Sequence, residues 1–370
     1  MTSPPTAPAA PERVPALDGL RGVAILLVLV LHAALPGVAV DNLVHPPQLH
    51  GYLWVALLGW CGVDVFFVLS GFLITGILVR AKGSPHYFRD FYARRALRIF
   101  PLYYAVLLWL LYGPGRAPAS SAEQWSSLFY VQNWLYGAHG DLGDAARTIT
   151  WSLAIEEQFY LLWPALVAFV SPRALVRLCV GVIVGAVVLR AGLVAAGAEH
   201  VYYLTPCRLD ALAAGALLAV VPLPSARLGR ALLVGGLLVL GSAAAVAGTP
   251  LPHSPPMQAF GLVGSMALAT GLLVLARGDG AIARVARWRW LAVFGRYSYC
   301  IYLTHVLVIE AVGRWLQERT GTWALEWPLA WLFTLTVASV VGSLAVGLVS
   351  WHLFEKWWLR LKRHFPGAGR

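Results

Sequence analysis

The chain has 370 residues, of which 59% are hydrophobic and only 12% charged, with a formal net charge of +11. Soluble domains carry about 25% charged residues, so a water-soluble globule is excluded: there is too little polar surface to cover so many apolar segments. The basic excess does not point to nucleic acid either, because the cations sit in short clusters at the ends of apolar runs, such as Arg89 to Arg98 and Lys356 to Arg363, as they do in membrane proteins.

In chain order, residues 1–15 are rich in Pro and Ala and are expected to be disordered. Residues 16–356 form one membrane domain, and 357–370 a basic cytoplasmic tail. The run from 13 to 37 has no convincing small-residue cleavage site and is interrupted by a His, so it is read as a retained helix rather than a signal peptide. Apolar stretches of the length that crosses a bilayer predict an all-α, polytopic fold of about ten transmembrane helices. They lie near 20–37, 53–79, 97–113, 150–170, 175–196, 205–222, 229–248, 257–276, 293–313 and 329–354. The segment WSSLFYVQNWLYG at 125–137 is too short to cross and suits the headgroup level, or a re-entrant turn. With the N-terminus inside, 22 Lys and Arg fall on the cytoplasmic side and 4 outside, which predicts that both termini are cytoplasmic. Arg greatly outnumbers Lys, as in a GC-rich bacterial genome, and the expected location is the bacterial plasma membrane. Cys61, Cys179, Cys207 and Cys300 show no CxxC spacing, so neither a disulfide framework nor a metal site is expected. No internal repeat emerges.

Ionisable groups inside a bilayer are costly and are functional candidates by default. In the first span Arg21 stands at the cytoplasmic end and His32 follows eleven residues later. At 1.5 Å per residue His32 is about 16 Å deeper, near the midplane. The second span, with GVDVFFVLSGFLIT, carries Asp64 at similar depth and Ser70 beyond it. Asp64 is therefore a candidate partner for His32, while Gly62, Ser70 and Gly71 also suit close helix packing. Before the third span, YFRDFYARRALRIFPLYY brings Arg94 and Arg98 to one helix face, with Arg95 beside them. Such a cluster suits phosphate groups, and equally a lipid-headgroup anchor. The fourth span opens with adjacent Glu156 and Glu157, of which Glu156 is taken as the inward one. Arg208 and Asp210 read as a local ion pair or as the lining of an acceptor pocket. His305 and Glu310 in the ninth span, and His352 and Glu355 in the last, read mainly as structural polar groups, with His305 kept as an acceptor-site candidate.

Together these segments resemble the acyltransferase 3 family of bacterial membrane proteins, which acylate hydroxyls of glycans, lipids and secondary metabolites. The matching residues are LDGLRG with Arg21 and His32, GVDVFFVLSGFLIT, RRALRIFP with Arg95 and Arg98, WSLAIEEQFYLLWP and SYCIYLTHV. The resemblance implies a catalytic His at His32 and a donor, acetyl-CoA or another short acyl-CoA, arriving from the cytoplasm as co-substrate rather than as a tightly bound cofactor. It also shifts Arg95 and Arg98 towards the donor's phosphates. Some relatives carry a C-terminal extracellular SGNH-type domain; none is expected here, which fits simpler members, including those that decorate macrolide sugars.

The expected mechanism has His32 as general base on an acceptor hydroxyl of a carbohydrate, glycolipid or macrolide, which attacks the thioester. Asp64 or Glu156 would orient the imidazole, and Arg21, Arg94, Arg95 and Arg98 would hold the donor. Ser70, Arg208, Asp210 and His305 are the acceptor-side candidates. An acyl-histidine intermediate is the alternative chemistry. The competing function is a proton-coupled transporter, since His, Asp and Glu also form proton relays; a scaffold without chemistry would leave the buried charges without purpose. Expected partners are the lipid bilayer, the acyl-CoA and the acceptor, with no nucleic acid; a homo-oligomer is left open.

Overall fold

The structure, a computed structural model, describes residues 15–41 and 47–366. The expected disordered segment lies, except for Pro15, outside the described residues, as does the end of the basic tail. Every regular element among the described residues is helical. The chain runs through α1 (Pro15–Asp41), α2 (Pro47–Leu57), α3 (Cys61–Ala81), α4 (Tyr87–Tyr112), α5 (Ser121–Leu128), α6 (Gln132–His139), α7 (Ala145–Thr148), α8 (Trp151–Phe169) and α9 (Pro172–Ala195). It continues through α10 (Thr205–Val220), α11 (Ala226–Ala247), α12 (Leu262–Ala276), α13 (Ala281–Ala286), α14 (Arg289–Thr320), α15 (Trp323–Glu326), α16 (Pro328–Ser350) and α17 (Lys356–Arg360).

Eight helical segments among the described residues are long and apolar enough to cross a membrane, which makes this a multi-pass membrane protein. The other two predicted spans are present as helices but fall short of that measure. α10 has 16 residues, a length of about 24 Å against a hydrocarbon core of about 30 Å. α8 has 19 residues and carries Glu156, Glu157 and Gln158. α10 is packed between α3 and α9, and α8 packs its polar N-terminal half against α3 and α6 while Leu161, Leu162 and Phe169 of its second half are exposed. A helix shielded by protein need not be apolar all round.

Local chemistry sets several helix ends. Ser171 accepts a hydrogen bond from the Ala174 amide at 3.3 Å ahead of Pro172, and Ser225 does the same for Leu228 at 3.3 Å. Lys82 donates to the carbonyls of Val167 and Val170 at 2.8 and 2.7 Å, closing the C-terminus of α8.

Without a hydrophobic drive between helices in lipid, association depends on close packing and polar contacts. Two helix pairs show this. A Cβ on Gly71 of α3 would lie 1.9 Å from the Leu212 carbonyl oxygen of α10, and one on Gly215 would lie 1.9 Å from that of Val68. Likewise, a Cβ on Gly22 of α1 would lie 2.0 Å from the Leu291 oxygen, and one on Gly295 of α14 would lie 1.8 Å from that of Asp18. The α1–α14 contact brings His32 to His305, and the α3–α10 contact brings Asp64 to Arg208.

The long connection after α4 is an ordered cap. The predicted interfacial segment 125–137 resolves into α5 and α6, broken at Tyr130, whose φ of 55° is left-handed and whose ring stacks on Tyr103 at 4.2 Å. Trp125, Phe129 and Trp134 are exposed, while Gln132 and Asn133 are buried. Asn133 and Gln158 bond each other at 2.8 Å and both bond Thr205, at 2.9 and 2.6 Å, closing α6 onto α8 and α10. Arg147 holds the cap together through Glu123 at 3.2 Å and Asp144 at 3.1 Å. Glu310 pairs with Arg116 of this connection, so it fastens the cap rather than standing alone in the span.

Candidate active site

The site is built around two histidines. His32 on α1 is half-buried, and its Nδ1 lies 2.9 Å from the Val28 carbonyl oxygen one turn earlier. His305 on α14 is fully buried, with Nδ1 2.7 Å from the Tyr302 carbonyl oxygen. A carbonyl can only accept, so in the neutral state each Nδ1 carries the proton and each Nε2 the lone pair. The rings meet edge to face, with centroids 4.7 Å apart at 77°. The Nε2 of His305 is buried and has no hydrogen-bond partner among the described residues.

Tyr302, one turn before His305, links the histidines to a cavity. Its ring centroid is 5.8 Å from that of His305 and 6.2 Å from that of Phe66. Its hydroxyl lies 2.5 Å from the Ser152 hydroxyl and donates to the Ile149 carbonyl at 3.0 Å. Phe66, Ser152 and Tyr302 form one wall of a cavity of about 90 Å³ that extends to Arg21, Arg95 and Arg98. The histidine rings stand behind this wall rather than in it.

The cavity walls come from α1, α3, α4, α8 and α14. Tyr160 donates to the Ser70 hydroxyl at 3.1 Å, and Ser70 in turn donates to the Glu156 carboxylate in a short contact. Arg95 lies over the rings of Phe91 and Tyr160, at 5.9 and 5.8 Å. Arg21 is 3.6 Å from Asp18, a contact with both side chains partly exposed. Glu156 and Glu157 both line the cavity. The expectation that only one could face it is corrected: a cavity that reaches α1, α3, α4 and α14 can border both of two consecutive helical side chains about 100° apart.

Asp64 is placed elsewhere. One of its carboxylate oxygens accepts from Arg208 Nη2 at 2.6 Å and the other from the Ser265 hydroxyl at 2.6 Å. The Arg208 guanidinium is also surrounded by the rings of Tyr202, Phe67 and Trp151, at 4.9, 5.5 and 5.9 Å. Asp64 therefore does not orient His32, whose Nδ1 is held by its own helix. Glu156, bound to Ser70, makes no contact with His32 either. The expected Arg208–Asp210 pair is likewise corrected: at i and i+2 the two side chains diverge on the helix. Asp210 takes Arg190 of α9 at 2.8 Å instead. All four of these charged side chains are at most 1% exposed.

Arg94 also leaves the cavity. Its Nη1 donates to the Phe365 carbonyl at 2.7 Å, so Arg95 and Arg98, three residues apart, supply the cationic lining from α4. The structure thus unites Arg21, Ser70, Arg95, Arg98 and Glu156 around one cavity and sets His32 with His305 behind it. It removes Asp64, Arg94, Arg208 and Asp210 from that cavity. Sequence reasoning missed Glu157, Ser152, Tyr160 and Tyr302 as wall residues. For Tyr302 the signal was its position three residues before His305, on the same helix face.

Comparison with known proteins identifies the family. An acyltransferase domain family model matches residues 14–348. The chain is 30% identical to YrhL of Bacillus subtilis over 93% of its own length and 54% of that protein. It is 28% identical to the peptidoglycan O-acetyltransferase OatA of Listeria monocytogenes, over 80% of this chain and 49% of that one. It is 26% identical to the O-acetyltransferase OatA of Staphylococcus aureus, over 83% and 52%. The chain spans about half the length of the curated relatives it matches. No solved structure matches it significantly. The match to the family model covers nearly the whole membrane bundle, and the chain belongs to the acyltransferase 3 family of membrane O-acyltransferases.

Proposed function

We propose that this protein transfers an acetyl or other short acyl group from acyl-CoA to a hydroxyl of a saccharide-bearing acceptor. The observation that carries the reading is the continuity from a cationic cavity mouth at Arg21, Arg95 and Arg98 to a wall, Phe66 and Tyr302, that abuts a pair of imidazoles. Ten crossings with both termini cytoplasmic would put the mouth on the side where acyl-CoA is made. A donor lying in the cavity has its phosphates at the arginines, where guanidinium forks match them. Its acyl end then points at Phe66 and Tyr302, and His32 lies beyond them, eleven residues or about 16 Å past Arg21 along α1.

His32 is the general base in this reading. Its Nε2 lone pair takes the proton of the acceptor hydroxyl as the oxygen attacks the thioester carbonyl. The tetrahedral intermediate collapses with cleavage of the C–S bond, and the departing thiolate takes the proton back from the imidazolium. The Val28 carbonyl accepts the Nδ1 proton throughout, so the ring keeps its orientation and the positive charge meets a fixed dipole. Glu156 and Glu157 shape the cavity wall near Arg95 rather than acting on the imidazole.

A saccharide acceptor draws its support from the relatives, all three of them named as O-acetyltransferases and two of these, YrhL and the Listeria protein, for peptidoglycan. Glycolipids and macrolide sugars carry the same hydroxyl chemistry. The test is purified full-length protein in lipid nanodiscs with isotopically labelled acetyl-CoA and a panel of muropeptides, glycolipids and macrolide glycosides, with products identified by mass spectrometry. Label on a saccharide oxygen is the expected result; no label on any acceptor, with the protein folded, overturns the reading.

A further inference from the structure

The segment after α16 has a placement that the family match does not account for, since that match ends at residue 348. A π-helical turn at Trp351–Glu355, then α17 and a 3-10 turn at Leu361–His364, fold back onto α4. The Arg94 guanidinium anchors the end of the segment by donating to the Phe365 carbonyl at 2.7 Å. This leaves Lys362 half-buried beside α4, where the charged groups acting on it are Arg94, Arg95 and Arg98. All three are cations. Glu355, a carboxylate of the same segment, accepts from the Ser350 hydroxyl at 3.0 Å and is near enough to Arg98 to act on it, without forming a salt bridge.

The cationic cluster is thus continuous from the cavity to the tail. Arg21 and Arg98 act on each other across the mouth, and Arg98 and Arg95 reach on to Lys362. Among the described residues no carboxylate forms a salt bridge with Arg94, Arg95, Arg98 or Lys362. Like charges gathered in a partly desolvated place repel one another unless an anion joins them. A single phosphate does not span a row that runs from the inside of the cavity to the C-terminal segment. An elongated ligand with phosphates at two positions does.

We propose that the C-terminal segment completes the donor site, with Lys362 binding the phosphomonoester at the nucleotide end of the donor, the 3′-phosphate of acyl-CoA. This rests on the acyl-CoA reading above. With the thioester at the Phe66 and Tyr302 wall, the diphosphate falls at Arg21, Arg95 and Arg98. The adenosine 3′-phosphate, the part of the donor farthest from the acyl group, then falls at the outermost cation. A phosphate on a lipid headgroup offers the same chemistry, and the experiment separates the two.

The full chain in phosphatidylcholine nanodiscs is assayed with acetyl-CoA and with acetyl-dephospho-CoA, which lacks the 3′-phosphate. Lys362→Gln should raise the KM for acetyl-CoA by ~3- to 10-fold with kcat little changed, as expected for a contact made in ground and transition states alike. The same substitution should leave the KM for the dephospho donor unaltered, and Lys362→Arg should restore most of the loss. Equal shifts for both donors, or none for either, overturn the proposal. So does an effect of Lys362→Gln confined to nanodiscs containing anionic lipid. Binding of radiolabelled adenosine 3′,5′-bisphosphate, which needs no turnover, keeps the two readings distinguishable. If acetyl-CoA is not turned over but the bisphosphate binds and Lys362→Gln weakens it, the acyl-transfer reading fails and the tail site stands; no binding to the unsubstituted protein overturns the tail site.

Discussion

Two groups of ionisable side chains lie within this bundle, and they differ in how completely each is satisfied. Around Asp64, both carboxylate oxygens are occupied, by Arg208 and Ser265, and three aromatic rings enclose the guanidinium, whose Nε is left without a hydrogen-bond partner among the described residues. Around the cavity of about 90 Å³, three arginines and two glutamates form the lining, and neither Arg95 nor Arg98 has a carboxylate within salt-bridge reach among the described residues. The first group is closed and joins α3, α10 and α12. The second is open and lines a cavity. A buried charge in a membrane helix is thus not by itself a mark of catalysis; the unfilled space beside it is what distinguishes the two.

The comparison can be broken most severely at His32. Its replacement by Ala should reduce acyl transfer by about 10²- to 10⁴-fold, the usual contribution of a positioned base. The thermal unfolding midpoint should stay close to that of the unsubstituted protein. Near-full transfer by a folded His32→Ala variant removes His32 from the chemistry.

The closed group should instead respond in stability. Asp64→Ala leaves Arg208 buried without its carboxylate, at a cost of about 3–5 kcal/mol, read as loss of folded protein in thermal unfolding monitored by size exclusion. Arg208→Met together with Asp64→Leu, which removes both charges, should recover much of that loss. If Asp64→Ala folds normally and loses only activity, the two groups are not distinct in the way described.

Next in size are the cavity arginines. Arg95→Gln and Arg98→Gln should each raise the KM for acetyl-CoA by about tenfold, near 1.4 kcal/mol, with a smaller change in kcat. A fall in kcat at constant KM would place these residues with the reacting atoms instead. The smallest effect is expected at Ser70→Ala. It removes the hydroxyl between Tyr160 and Glu156, worth about 0.5–1.5 kcal/mol, and should lower the unfolding midpoint slightly while altering KM less than either arginine substitution.

Much of the architecture was legible because lipid imposes a simple rule on composition. The ten apolar segments correspond to helices within a few residues at most ends, although α8 and α10 are less apolar or shorter than a lipid-exposed span. His32 was legible for the same reason: an imidazole in an aliphatic helix is conspicuous. Partners were not legible. Asp64 was expected at the depth of His32, but Gly59 packs against Leu27 and Leu31 and Gly62 against Ala24, so Asp64 lies nearer the Arg21 end of α1 than His32 does; neither that register nor the direction of a side chain follows from depth counted along one helix. The α3–α10 and α1–α14 glycine contacts set those directions, sending Asp64 to Arg208 and His32 to His305. Arg94 shows the same limit. Its spacing from Arg98 is right for a shared face, but the returning C-terminal segment captures it.

What the sequence determined by itself was therefore the one-dimensional part: a membrane bundle, the depth of His32 below Arg21, and a basic cluster before the third span. Hydropathy and the rise of the helix are properties of a single segment, so they survive without knowledge of any neighbour. Only the tertiary structure decided which charges close on one another and which line a cavity. Those outcomes depend on helix rotation and crossing, and these come from contacts between residues such as Gly71 and Leu212, or Gly295 and Asp18, that are far apart in the chain.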